Sequence, residues 1–369
     1  MTEKLRVGLI GVGGICAYVH YPGLDRISGV EIVGLCDLNE ELLIQRQHDW
    51  EIDTCIGDST TFLSEVKPDA VVIATPNVKH KDLILQAIAA GCHVMCEKPL
   101  GMNYAETVEI YQAAKCAGVR HMTAFSYRFV PAMNYLRHLV QSGELGEIRH
   151  ARFQRLQDWG DRAIGWRQYK AQAGSGELAD MGIHRVDFAE DLLGPITSLC
   201  SATKQLEQRA ITPDGRSVPA QDVEDWVAWI AEFQAGTTAV FEMGKLTKGF
   251  SNKGDHDQSE LNGTKASAVY RLHEPHQLLF AKAGRNEAYE VRPVPPEFLK
   301  RLGSPRNPDE GDPLQVFRFD QAWEFVSAIR EGRDCYPSFY HGMRAQLVAD
   351  SILQAAAERR WIDVPACLM

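Results

Sequence analysis

The chain has 369 residues, 45% of them hydrophobic and 24% charged. That is enough for two domains with their own cores, and it is the composition of a folded globular protein rather than a disordered one. With 39 basic and 49 acidic side chains the net charge is -10 and no basic run stands out, so no nucleic-acid partner is expected.

No apolar stretch reaches the roughly 18 residues of a membrane span, and "MTEKLRVGLIGVG" enters a strand at once, so a cytoplasmic protein with no membrane partner is expected. The nine cysteines are scattered, mostly in apolar runs, which fits a reducing compartment and no disulfide framework. Cys92 and Cys96 lack the spacing and the matching pair of a zinc knuckle, so no metal is expected there.

"LRVGLIGVG" (5–13) reads as a buried parallel strand ending in glycines, followed by a helical pattern to about Ser28. "VEIVGLCD" (30–37) is a second strand and "LNEELLIQRQHDW" (38–50) a helix. "DAVVIATP" (69–76) and "HVMCEKP" (93–99) are further strands. Helices lie between and after them, over 77–91 and 103–118, the latter closed by Gly118. "VRHMTAFSYR" (119–128) completes the run. Strands alternating with helices predict a parallel, doubly wound α/β sheet with right-handed crossovers.

The second half mixes alternating and aromatic-rich strand patterns in "RHARFQRLQDW", "DWVAWIAEFQ" and "TTAVFEMGK", with "QAG" (234–236) as a hairpin turn.

The first strand-to-helix turn, "GVGGIC", carries Gly11, Gly13, Gly14 and Ile15. Gly11 permits a tight turn and Gly13 a close backbone approach to a pyrophosphate at a helix N-terminus, with Cys16 in place of the third glycine. Asp37 closes the second strand at the spacing the dinucleotide fingerprint requires. It can accept from both ribose hydroxyls and would repel a 2′-phosphate, and "LNEE" after it brings no base, so NAD is expected over NADP.

Two further stretches bear chemistry. In "CEKPLG", Lys98 sits at the carboxyl end of the fifth strand, the edge where doubly wound sheets bind ligands; the plain alternative is a surface lysine paired with Glu97. In "AGSGELADMGIHRVD" (173–187), a glycine–serine–glycine break precedes a helix with Asp180, His184, Asp187 and Asp191 on one stripe. Asp187 and Asp191 read as its solvated continuation. Asp180 and His184 read as site residues beside a break that would form a substrate-side wall. A capped polar helix and a metal site are the alternatives, the second lacking further ligands.

The ordered set "GLIGVGGI", "ATPNVKH", "CEKPLG", "SYRFVPA", "GSGELADMGIHRVD", "VEDWVAWIAEFQAGTTAVFE" and "ELNGTKASAVY" resembles the Gfo/Idh/MocA oxidoreductases, which include glucose–fructose oxidoreductase and inositol dehydrogenase. The resemblance implies a Rossmann domain over 1–125. It also implies an α+β domain over 126–369 with a large, mostly antiparallel open sheet, whose last helix, about 341–360, packs back on the first domain.

By the same resemblance Thr75, Pro76, Asn77, His80, Glu97, Lys98, Arg128, Trp166 and Arg167 border the cofactor. Lys98, Asp180 and His184 are catalytic. Tyr127 and Arg167 join these three on the substrate side, Tyr127 on position alone, as with Tyr18, Asp158 and Trp159. A homodimer or homotetramer through the sheet is implied.

Hydride transfer from an alcohol to a nicotinamide needs a base for the hydroxyl proton and a donor for the oxygen. His184 suits the first role and Lys98 the second, with Asp180 orienting. The expected substrate is a sugar, sugar derivative or cyclitol. The competing readings are an NAD-retaining glycosidase of the same superfamily and a non-catalytic nucleotide-sensing regulator.

Overall fold

The computed structural model describes residues 4–160, 164–212, 215–251, 256–284 and 288–367. The chain forms two compact units. One comprises Met1–Ser126 and Lys300–Met343, the other Tyr127–Leu299 and Arg344–Met369. The first junction falls beside the expected boundary at 125, but 300–343, expected in the second domain, groups with the first.

The first unit opens with β1 (Leu5–Ile10). A widened, π-type turn over Cys16–His20 leads into the short α1 (Tyr21–Asp25). The expected single helix to about Ser28 is thus a wide turn and a five-residue helix. Pro22 has no N–H to give, and Tyr21 N instead reaches back five residues to the Cys16 carbonyl.

There follow β2 (Val30–Cys36), α2 (Glu40–Trp50), β3 (Cys55–Ile56), α3 (Ser59–Val66) and β4 (Ala70–Ile73). α4 (His80–Ala89), β5 (His93–Cys96), α5 (Tyr104–Ala117) and β6 (His121–Thr123) complete the run. Asn39, Asp58 and Asn103 each cap a helix through a side-chain oxygen. Gly118, at φ 67°, ends α5.

The six strands are parallel in the order β3-β2-β1-β4-β5-β6, the doubly wound arrangement. Val7, Leu9, Val71, Val72, Val94 and Met95 are wholly buried, as strands covered on both faces require.

The second unit contains α6 (Pro131–Gln141), β7 (Ile148–Leu156), α7 (Lys170–Ala173) and α8 (Ile183–Leu193). After these come β8 (Ile196–Lys204), β9 (Trp226–Phe233), β10 (Thr238–Gly244), β11 (Asp257–Gly263), β12 (Ala266–Arg271), β13 (Gln277–Lys282) and β14 (Glu290–Pro293). α9 (Pro313–Val316) and α10 (Phe319–Glu331) return to the first unit. α11 (Phe339–Glu358) and β15 (Ile362–Asp363) finish the chain.

The nine-stranded sheet runs β14-β13-β12-β11-β7-β10-β9-β8-β15, antiparallel throughout except for the β7–β10 pair. β9 and β10 are joined at the expected Gln234–Gly236 turn, with Gly236 at φ 85°. Phe153, Phe241 and Trp229 sit in register on neighbouring strands, and their rings stack 4.7 and 4.4 Å apart on the buried face. The segment before α8 packs on this ladder, since a β-carbon on Gly182 would lie 3.6 Å from the Trp229 ring.

No disulfide joins the cysteines, and no helix among the described residues is long and apolar enough to cross a membrane.

Candidate active site

In the first unit the nucleotide turn is built around Gly11. Its φ is +86°, and a β-carbon there would strike the Ala74 backbone and Thr75, so only glycine lets β1 and β4 end this close together. Gly13 and Gly14 face the opposite situation: a β-carbon on either meets nothing within 4 Å. The turn therefore presents open space over two residues without side chains. Ile15 is half-buried at its far end.

Asp37 stands at the tip of β2, where one carboxylate oxygen accepts from Val12 N and the other from Asn39 N, both at 2.9 Å. Each oxygen keeps a further lone pair for a ligand hydroxyl. The Thr75 hydroxyl is buried with no hydrogen-bond partner among the described residues. An open glycine turn, an anchored acid and an orphaned hydroxyl fit a dinucleotide.

Lys98 follows β5, and its main chain is fixed on both sides. Glu97 N donates to Ile73 O at 2.9 Å, and Pro99 O lies 2.7 Å from His80 Nδ1. The Glu97 side chain is turned to a buried partner: its Oε1 lies 2.8 Å from Nε2 of the buried His20. Burial pulls the Glu97 carboxyl upward, but the hydrogen bond and charge of His20, with Lys98 and His80, bring it net below the usual range.

His80 is wholly buried, with its other nitrogen 2.9 Å from Thr75 O. Burial lowers its pKa against the pull of both carbonyls. It ties the Thr75 loop to the Lys98 loop by its ring, bracing two segments expected to border the cofactor. Asn77 is buried in a short turn after Pro76.

In the second unit, Leu178–Gly182 is another widened turn, leading into α8. Asp180 is partly exposed and His184 is 3% exposed, its ring 4.6 Å edge-on from that of Tyr127. Arg167 stacks on Trp166 at 4.3 Å, and its Nε lies 3.8 Å from Asp180 Oδ1. The fold thus brings together Tyr127 with His184, and Trp166–Arg167 with Asp180. Residues 161–163 of the neighbouring loop lie outside the described residues.

Two expectations, for Asp187 and Asp191, are corrected here, through a residue that pairs with both. Arg128, expected at the cofactor, is buried and gives Nε and Nη2 to both oxygens of Asp187 at 2.7 Å, and Nη1 to Asp191 at 2.8 Å. Asp187 and Asp191, expected to be solvated, are consequently buried ion-pair partners, with Arg137 3.2 Å from Asp191.

The glycine–serine–glycine break also has an internal cause. A β-carbon on Gly176 would collide with the Glu224 carbonyl, while Glu224 Oε1 accepts from Gly176 N and Leu178 N. The break is a close backbone crossing. Of the residues named on position alone, Tyr18 bonds Asp312 and Asp158 pairs with Lys248.

Residues 5–125 match the profile described as "Oxidoreductase family, NAD-binding Rossmann fold", and residues 133–269 match the "GFO/IDH/MocA C-terminal domain". The chain belongs to the Gfo/Idh/MocA oxidoreductase family. Its first unit carries the family's NAD-binding Rossmann domain.

Among relatives, levoglucosan dehydrogenase of Pseudarthrobacter phenanthrenivorans is 27% identical over 98% of this chain and 99% of its own. The 1,5-anhydro-D-fructose reductase of Ensifer adhaerens is 31% identical over 72% of this chain and 75% of its own. A solved structure of levoglucosan dehydrogenase in complex with NADH and L-sorbose superposes with a TM-score of 0.90 at 28% identity, covering 99% of this chain and all of that one.

His20 was not legible as a site residue. It lies in a run read as ordinary helix, and its partner Glu97 is 77 positions away.

Proposed function

We propose that this family member is an NAD-dependent dehydrogenase that oxidises a secondary hydroxyl of a sugar, sugar derivative or cyclitol. The observation that carries the reading is that one chain of this family holds both an anchored Lys98 and a buried His184 next to the Asp180 turn. Relatives named for sugars or anhydrosugars support the substrate class.

Gly11, Gly13, Gly14 and Ile15 would hold the nucleotide's phosphates, Thr75 through Asn77 its central part, and Asp37 its adenosine ribose. Asp37 also supports a preference for NAD over NADP. Bound NAD supplies an electrophilic ring carbon that takes a hydride. His184 takes the hydroxyl proton as the carbon–hydrogen bond breaks and a carbonyl forms. Lys98 donates a hydrogen bond to the same oxygen and stabilises its developing negative charge. Asp180, with Arg167 beside it, orients the polyol, and Tyr127 packs the His184 ring.

Val240 and Ile230, directly paired across β10 and β9 and both exposed, support assembly into a homo-oligomer through the sheet.

The test is NADH formation when the protein and NAD meet a panel of sugars, anhydrosugars, sugar acids and inositols. Steady growth with at least one member is expected. Glycoside cleavage without net NADH would replace this reading with the NAD-retaining glycosidase, and nucleotide binding with no turnover of any kind would favour a regulator.

A further inference from the structure

Glu177 opens the widened turn that carries Asp180. Its side chain is fully buried, and neither carboxylate oxygen has a hydrogen-bond partner among the described residues. An ionised carboxylate in that state loses its hydration with no donor to replace it, which is among the costliest arrangements a protein interior can hold.

The surrounding charges do not rescue it. Three cations face it: Arg155 from β7, Arg185 from α8 and Lys245 after β10. Arg155 and Arg185 pair with Asp257 on β11 and Lys245 with Asp225; Arg185 Nε has no hydrogen-bond partner among the described residues, yet it makes no bond to Glu177. Asp180 lies on the same turn, and Glu224 sets its carboxylate against the amides on either side of Glu177. Four carboxylates thus already oppose three cations. Among the described residues Arg167 pairs with Asp180, and it is half exposed, so solvent screens it.

We propose that Glu177 is an uncharged acid in the folded protein, a positioning residue that leaves Asp180 as the only charged carboxylate of the segment 174–184 and sets an upper pH limit on the site. Burial, then the nearby Asp180 charge, push this carboxyl up to about 8 against the pull of Lys245, Arg155 and Arg185. Losing that proton sets a second negative charge beside Asp180, in a turn held at Gly176 and Leu178 by Glu224 and closed over Trp229 at Gly182. The turn must then rearrange or draw a cation from Asp257 or Asp225. The limit on activity rests on the dehydrogenase reading; the protonation state does not.

The test compares wild type with Glu177→Gln, a neutral isostere, or with Glu177→Met should the amide variant not fold. A proton held in the native state but lost on unfolding makes the acid destabilising as pH rises from its unfolded value toward its folded one. The melting temperature of the variant relative to wild type is therefore expected to climb by a few degrees between about pH 5 and about pH 8. A constant difference over that range overturns the uncharged state, whether or not a substrate is known. With a sugar substrate in hand, wild-type kcat is expected to fall about tenfold per pH unit on its alkaline side, and the variant to lose that limb. Superimposed pH profiles overturn the positioning role even if the melting data hold. A melting difference that climbs while no sugar is oxidised leaves Glu177 as assigned and sinks the dehydrogenase reading instead.

Discussion

Arg128 grips Asp187 with two parallel hydrogen bonds, Nε to Oδ2 and Nη2 to Oδ1, each 2.7 Å long and both side chains almost wholly buried. This fork-to-fork geometry joins the start of the second unit to α8, the helix that carries His184. Burial pushes the Asp187 carboxyl up to about 6 even with Arg128 in place, so removing Arg128 leaves a buried acid without the cation that favours its charged form. Arg128→Met is expected to lower stability by about 3–5 kcal/mol, read from urea unfolding, with nucleotide affinity retained. A variant of normal stability that has lost NAD binding would return Arg128 to the cofactor.

Lys98→Ala is expected to abolish turnover while leaving the dissociation constant for NADH within about threefold, because the Gly11 turn and Asp37 are untouched. Fluorescence quenching on NADH binding and a steady-state assay check the two halves separately. Near-normal kcat in this variant would remove Lys98 from the acid/base role.

Asp37 combines two tasks, holding Val12 N and Asn39 N while keeping lone pairs for a ribose. Asp37→Ala is expected to reduce the NAD-over-NADP ratio of kcat/KM by about tenfold or more, or roughly 1.4 kcal/mol. Because the turn also loses its tether, KM for NAD should rise. An unchanged ratio would mean that discrimination lies elsewhere.

His121 contributes to the pH dependence of the first unit. Burial, against the nearby Asp334, drives its pKa down to about 4, and its Nδ1 accepts from Phe339 N, a bond that protonation there would break. The unfolded ring binds its proton near 6.5, so between that pH and about 4 the unfolded state holds more protons. Stability is therefore complete above the unfolded value and is lost as pH falls, by about 3 kcal/mol for this group. His121→Phe, which keeps a ring to stack on Phe339, should flatten the acid limb of a stability–pH curve.

Much of this was readable in the chain because it is local. β1, β2, β4 and β5 are short apolar runs bounded by turns, and Gly11, Asp37 and Lys98 sit where such strands end. β3 has only two residues at a sheet edge and left no periodic trace. The stripe of acids from Asp180 to Asp191 misled for a different reason. A wheel assumes a constant advance per residue, and the widened turn at Leu178–Gly182 breaks that assumption just before α8. Nor can a wheel supply Arg128, 59 positions from Asp187, which turns two apparently solvated acids into interior ones. His20 with Glu97, and Glu177 with its three cations, are likewise products of distant segments meeting.

The return of Lys300–Met343 to the first unit bears on the order of biosynthesis. α10 lies against α1, with Phe319 and Ala322 over Gly23, Arg26 over the Phe319 ring and Arg330 bonded to Ser28 O. A nascent chain on the ribosome therefore displays the outer side of α1 uncovered until β7 to β14 of the second unit's sheet have been translated. The nucleotide-binding half is begun first and closed late, so a fragment cut after Ser126 is an unfinished intermediate with an exposed seam.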